Sequence, residues 1–186
     1  MRVIAGTCRS LPLKTPAGMD VRPTTDRIKE TLFNMLQPYI PDGIFVDLFS
    51  GSGGIGIEAL SRGASKAYFV ESSTAAARCI TENLQFTKLT DRAVLLRQDA
   101  IGALYSIHEK QVDIIFMDPP YDQELERQVL TLLKDMPYVS EETLIVVEAS
   151  LRTDFSYLSE LGYDIIKEKL YKTNKHIFVR MEEKHQ

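Results

Sequence analysis

Asp118, Pro119, Pro120 and Tyr121 stand together directly after an apolar run containing Val112, Ile114, Ile115, Phe116 and Met117. The aspartate carboxylate can accept an N–H hydrogen from an amine. The Pro119 carbonyl offers a second acceptor beside it, and the two prolines restrict φ and hold that carbonyl in place. An exocyclic base amine is a poor nucleophile because its lone pair is delocalised into the ring. Two acceptors on its hydrogens favour a tetrahedral nitrogen that can attack. Tyr121 adds a flat face for an extruded base, a stack worth about 1–3 kcal/mol. The same residues could form a plain strand exit, since proline ends strands and aspartate starts turns. Their concentration at one strand end favours chemistry.

A second group of residues suits a nucleoside-bearing cofactor. The stretch "FVDLFSGSGGIGIEAL" carries Gly51, Gly53 and Gly56 in the pattern G-x-G-x-x-G, with Gly54 in addition. Such glycines allow a tight strand-to-helix turn and a close ligand approach. Glu71 follows Gly51 by twenty residues (71 − 51), where a carboxylate accepts hydrogen bonds from ribose hydroxyls. Asp47 precedes Gly51 by four residues (51 − 47) and could attract an α-ammonium, directly or through water. A pyrophosphate would be repelled by the same acid. Asp99 follows a third apolar run and could accept from the exocyclic amine of adenine. Acids after three successive runs, with no basic residue in the glycine loop, favour S-adenosylmethionine over a nicotinamide dinucleotide.

Strands must position these groups. Val- and Ile-rich runs at 44–49, 67–71, 93–98, 112–118 and 143–149 read as strands, followed by 163–171 and 176–181. Helical patterns fall at 53–63, 73–87, 99–109, 123–136 and 153–161. This alternation predicts an α/β fold: a doubly wound, mostly parallel sheet of seven strands with helices on both faces. The last two strands are separated only by the short "KTN" stretch, too little for a crossover, so they should pair as an antiparallel hairpin. In a doubly wound sheet the fourth strand ends beside the first, at the ligand crevice, so Asp118 would face the bound donor. Upstream, Thr24 or Thr25 can cap a helix with Asp26 in its first turn, Ile28, Leu32, Met35 and Leu36 on one stripe, and Pro38 at its end. "RVIAG" and "LPLKT" read as a small hairpin before it. The expectation is one domain over 1–186, with an N-terminal extension at 1–40 and a catalytic core at 41–186.

Composition sets the outer limits. The chain has 186 residues, 44% apolar and 26% charged, which suits one ordinary core. No run reaches the ~18–20 apolar residues of a membrane span. The N-terminus lacks the apolar stretch of a secretory signal. Cys8, Cys79, His108, His176 and His185 show no metal or redox spacing, so a cytoplasmic protein without a metal site is expected. The net charge of −4 is unevenly spread. Residues 1–30 hold Arg2, Arg9, Lys14, Arg22, Arg27 and Lys29 against Asp20, Asp26 and Glu30, hence +3 (6 − 3) on an acidic body. Such an arm can mark the side facing phosphates, with Arg9 and Arg22 as candidate RNA contacts.

The glycine stretch, Glu71, Asp99 and "DPPY" together resemble a Rossmann-like, class I S-adenosylmethionine-dependent amino-methyltransferase. "RVIAGTCRSLPLKTP" and "RPTTDRIKETLFNML" narrow the resemblance to the RsmD-like family of bacterial 16S rRNA guanine-N2 methyltransferases, along nearly the whole chain. The resemblance implies cofactor contacts at Asp47, Gly51, Gly53, Glu71, Asp99 and Ala100, and a target amine among Asp118, Pro119, Pro120 and Tyr121. It also implies 16S rRNA as the partner, within an assembled or assembling small ribosomal subunit. One departure stands out: where the family has a glycine after the arginine of the first hairpin, this chain has Ser10. Other readings remain open. A DNA adenine or cytosine amino-methyltransferase shares "DPPY" but normally needs a separate recognition region. A nicotinamide-dependent oxidoreductase would use the glycine loop and Glu71 but not "DPPY". A non-catalytic RNA-binding module would use neither for chemistry.

Overall fold

The computed structural model describes residues 1–17 and 25–184. Its strands are β1 (Ile44–Asp47), β2 (Lys66–Val70), β3 (Ala93–Leu96), β4 (Ile114–Met117), β5 (Leu144–Ser150), β6 (Tyr163–Leu170) and β7 (Asn174–Met181). They form one sheet in the order β3-β2-β1-β4-β5-β7-β6. The first five pair in parallel, and β7 pairs antiparallel with both β5 and β6. The expected parallel core and terminal hairpin are both present. The insertion of β7 between β5 and β6 is a tertiary result that chain order does not reveal.

Period-two alternation gives β1, β2, β4, β5 and β7 two buried faces, while β3 is half-buried and the edge strand β6 is mostly exposed. Phe45, Phe69, Ile114, Phe116, Val146 and Phe178 pack beneath α1 (Asp26–Leu36), α2 (Gly54–Ser61) and α3 (Thr74–Thr87). Val46, Tyr68, Ile115, Met117, Val147 and Ile177 pack against α4 (Ala100–Leu104), α5 (Leu125–Leu133) and α6 (Leu158–Leu161). Each large apolar side chain buried in this way contributes about 1.5–3 kcal/mol. Among the described residues, no helix is long and apolar enough to cross a membrane.

Several elements depart from the sequence reading. The helix expected over 153–161 is confined to α6, because Asp154 accepts from the Ser156 N–H at 3.0 Å and the Ser156 hydroxyl at 2.8 Å. That local turn competes with helix formation. The one expected over 99–109 is likewise reduced to α4. In α1 the Thr25 hydroxyl caps the Ile28 N–H at 3.3 Å, while Thr24 lies outside the described residues. Its buried stripe is Lys29, Leu32, Phe33 and Leu36, with Ile28 and Met35 only half-buried. Lys29 can point inward because it finds partners there: its Nζ donates to the Arg2 carbonyl at 2.5 Å and lies 3.6 Å from Glu58 Oε1. Pro38 ends α1 in a single 3-10 turn, Gln37–Tyr39.

The expected N-terminal hairpin is a tied loop. One antiparallel bridge joins Arg2 and Pro12, supported by Val3 N–H to Leu11 O at 3.0 Å and Ser10 N–H to Val3 O at 2.8 Å. Ser10 adopts φ 70°, the left-handed conformation that a glycine would take without strain.

Candidate active site

The loop after β1 is built from its own backbone. Gly53 has φ 87° and begins α2, and its N–H donates to Ser50 O at 2.8 Å. Gly51 has φ 55°, and no neighbouring atom lies within 4 Å of where its Cβ would stand. Gly56 serves packing instead: a Cβ there would meet Phe69 Cε1 at 2.4 Å, so only glycine lets α2 lie this close to β2. Glu71, at the end of β2, accepts the Gly51 N–H on one oxygen at 2.9 Å and the Ser73 N–H on the other at 3.2 Å. It therefore braces the glycine loop while staying half-buried at the end of β2. Asp99 also has a structural duty, capping α4 by accepting the Gly102 N–H at 2.8 Å. It is exposed, whereas the adjacent Ala100 is buried.

Asp47 ends β1 fully enclosed. Its Oδ1 accepts the Phe49 N–H at 3.3 Å, but its Oδ2 is buried without a hydrogen-bond partner. Burial is the main force pushing this carboxyl up to about 8, and repulsion from Asp118, Glu71 and Glu148 adds to it. Three of the acids picked from the sequence thus meet electrostatically at the ends of β1, β2 and β4.

Asp118 follows β4, which pairs with β1 through Phe116 and Asp47. It is half-buried, Pro119 is buried, and Pro120 and Tyr121 are exposed. The backbone then turns sharply, with Asp122 at φ 65° and Glu124 at φ 52°. Such left-handed non-glycine residues each cost on the order of 1–2 kcal/mol.

Two residues that spacing alone does not reveal complete this end of the sheet. Met117 pairs with Val147, and Glu148 pairs with His176, so Asp118, Glu148 and His176 form one row across β4, β5 and β7. All three lie on the face of Phe116, Val146 and Phe178, each two residues from its counterpart along the chain. Glu148 lies beside Asp118 in this row and accepts the Asn174 amide at 2.7 Å. Burial first, and the Glu148 carboxyl second, push Asp118 up to about 8. Glu148 is also raised by burial, with the hydrogen bonds from Asp118 and Asn174 working against the rise. His176 is fully buried against Phe116 and Tyr171, and burial lowers it to about 4. Its Nε2 lies 3.3 Å from Glu148 Oε1 at an angle that makes no hydrogen bond. A neutral imidazole makes this contact something other than an ion pair. The sequence offers His176 only as an isolated histidine, and no local motif marks Glu148; the strand register alone joins them.

The N-terminal arm packs beside the glycine loop. Asn83 of α3 donates to Ser52 O at 2.9 Å and to Lys14 O at 3.0 Å, and accepts the Lys14 N–H at 2.8 Å. Glu58 of α2 accepts the Ile4 and Ala5 N–H groups at 2.8 and 3.0 Å and the Arg62 guanidinium at 2.9 Å. Internal pairing takes up part of the arm's positive charge. Arg2 meets Asp26 at 3.0 Å, Lys14 meets Glu82 at 3.3 Å, and Lys29 is buried. Arg9 is exposed; Arg22 lies outside the described residues.

A doubly wound sheet carrying a glycine loop, acids at the ends of β1, β2 and β4, and "DPPY" after the strand beside β1 defines a Rossmann-like methyltransferase fold. The family described as Conserved hypothetical protein 95 matches residues 1–180, and the chain belongs to it, among the RsmD-like methyltransferases that the sequence resembles. It is 36% identical to the "Ribosomal RNA small subunit methyltransferase D" of Haemophilus influenzae over 171 residues, covering 91% of this chain and 88% of that one. The protein of the same name from Escherichia coli is 37% identical over 151 residues, 81% of this chain and 75% of that one. Among solved structures, the yhhF protein of Escherichia coli superposes with a TM-score of 0.83 at 32% identity, covering 99% of each chain. A conserved hypothetical protein of Streptococcus pyogenes gives 0.75 at 34% identity, with 85% of this chain and 98% of that one covered.

Proposed function

We propose that this chain transfers a methyl group from S-adenosylmethionine to the exocyclic N2 amine of a guanine in 16S rRNA, within an assembling small ribosomal subunit. The observation that carries the reading is Asp118 of "DPPY", half-buried beside the end of β1 and within electrostatic reach of Asp47. The names of the two relatives, rRNA methyltransferases of the small subunit, support the substrate class.

The crevice fits the donor on two counts. Gly51 leaves room for close approach, and Asp47 Oδ2 is a buried acceptor without a partner, suited to an α-ammonium group. Glu71 would accept from the ribose diol with the lone pairs its two backbone bonds leave over. Asp99 and Ala100 would flank the adenine. S-adenosylmethionine supplies a methyl group already activated on a sulfonium. The chain's own residues orient the acceptor: Asp118 and the Pro119 carbonyl take the amine hydrogens, and Tyr121 stacks on the base. Arg9 and Arg22 would contact phosphates. A cytoplasmic location follows from such a substrate.

The test offers labelled S-adenosylmethionine to undermodified small subunits, free rRNA and duplex DNA, with the product mapped. Single-turnover transfer to N2 of one guanine in small subunits is expected. Asp118→Ala should abolish it with cofactor affinity kept within a few-fold, while Asp118→Asn, which still accepts, should keep measurable activity. Methylation of duplex DNA instead, or a near-normal Asp118→Ala rate, would overturn the reading. Thermal stabilisation by NADH and not by S-adenosylhomocysteine would point to an oxidoreductase.

A further inference from the structure

The row Asp118–Glu148–His176 goes beyond a single acceptor for the amine. The register sets the Asp118 and Glu148 carboxyls side by side on one face of the sheet, and with Glu148 almost wholly buried the two cannot both be ionised without strong repulsion, so the pair retains a proton. Glu148 is also tied down by the Asn174 amide, which donates to its Oε1 at 2.7 Å, with the His176 ring packed 3.3 Å from the same oxygen. We infer that Glu148 is a positioning residue for Asp118, on the reading of the site as an amino-methyltransferase: the two share one proton, with Asp118 donating it to Glu148 and presenting its other oxygen to the target amine as a neutral acceptor. In that state Asp118 offers an amine the same carbonyl-type acceptor that an asparagine would.

The proton account closes within the row. As the amine nitrogen bonds to the methyl carbon, the carbon–sulfur bond breaks and its electron pair stays on sulfur. The nitrogen then sheds one proton to the outer oxygen of Asp118, while the proton already on Asp118 passes to Glu148. The pair starts with one proton and ends with two, and the surplus leaves to water through Asp118, the half-exposed member. The unpaired His176 Nε2 has a place in this scheme. With Nδ1–H directed to the Tyr171 hydroxyl 3.3 Å away, Nε2 is an unprotonated acceptor 3.3 Å from Glu148 Oε1, and a small turn of either side chain would let it accept once Glu148 carries a proton. Burial holds the imidazole neutral, as that role requires. The other titratable groups facing the pair are Asp47 at the end of β1, an acid that favours a protonated pair and is itself flanked by Glu71, and the Tyr171 phenol beside Glu148, whose own ionisation that carboxyl opposes.

Glu148→Gln tests this, since it keeps the size and the Asn174 contact but cannot take up a proton. In single-turnover transfer at saturating cofactor, the wild-type rate should leave its plateau on an alkaline limb near pH 8, the position to which Asp118 is raised. Glu148→Gln should lose that limb and fall about a hundredfold at pH 7, the lower end of what a positioned proton acceptor supplies, with cofactor affinity unchanged. Carbon NMR of side-chain-labelled aspartate and glutamate reads the pair without any turnover. It should find Asp118 protonated at pH 7 in the wild type and ionised in Glu148→Gln. If Glu148→Gln does not fold, Asp118→Asn serves: the pair's two-step titration should collapse to one step. An Asp118 that titrates in the ordinary carboxylate range, or a Glu148→Gln pH profile identical to wild type, would overturn the inference. A wild type inactive on every nucleic acid but with the shared proton visible by NMR would overturn the methylation reading instead.

Discussion

At the scale of residues, the site is a collection of acids held where acids are expensive. Asp47 shows the consequence most clearly. Burial raises its folded value to about 8, far above the 3.8 of a free aspartate. A raised carboxyl stabilises the fold fully below its unfolded value, and that contribution drains away as pH climbs through the folded one. Stability should therefore fall between about pH 4 and pH 8, each unit of separation amounting to about 1.4 kcal/mol before screening. In Asp47→Asn the difference in Tm between pH 5 and pH 8 should shrink by several degrees, read by calorimetry without ligand; an unchanged difference would show that Asp47 is ionised throughout. A cationic ligand group would draw the same carboxyl back to its charged form, so binding should release protons between pH 6 and 8. Much of this is legible in the sequence, because acids at successive strand ends follow from the βαβ pattern. Glu148 and His176 are not, since a residue's partner across a sheet depends on register and strand order, and neither leaves a local signature.

At the scale of elements, the amino-terminal loop shows how a departure from family pattern is absorbed. Ser10 stands where the family has glycine and still takes φ 70°. The backbone bonds from Ser10 N–H to Val3 O and from Cys8 N–H to the Ser61 hydroxyl at 2.9 Å fix the turn regardless. Ser10→Gly should relieve that conformation and stabilise the chain by about 0.5–1 kcal/mol, the left-handed cost less glycine's extra freedom when unfolded. Chemical denaturation measures this, and a destabilised variant would mean that the Ser10 side chain makes a contact of its own. The hairpin expected from sequence is a loop for a related reason: Glu58 takes the Ile4 and Ala5 N–H groups that a strand partner would otherwise need. Helix ends depart from the sequence pattern where short side chains bond to nearby backbone, as at Asp154. The inward turn of Lys29 is not legible either, because a lysine on a helix reads as solvent-facing until a buried carboxylate is found opposite it.

For the whole molecule, the sign of the charge is the least informative number. The chain is net −4, yet its amino-terminal thirty residues are +3, and the structure shows Arg2, Lys14 and Lys29 already engaged internally. Phosphate recognition therefore falls on few groups. Changing Arg9 and Arg22 together to Ala should weaken engagement of small subunits and flatten its salt dependence, by about 0.7 in logarithmic slope for each phosphate of single-stranded RNA that is no longer neutralised. Cofactor affinity should not move, and an unchanged slope would remove the arm from the interface. The sheet order carries a different kind of consequence. β7 comes last in chain order among the sheet's seven strands, yet it sits inside the sheet and delivers Asn174 and His176 to the row with Asp118. A nascent chain can pair β1 through β5 in parallel and bury much of both faces while its last strand is still inside the ribosome. It cannot assemble the Asp118–Glu148–His176 row until the β6–β7 hairpin has docked with β7 against β5. The site thus matures in time as well as in space: folding from the amino terminus forms the cofactor crevice early, and the groups that set the protonation of Asp118 arrive with the final strand.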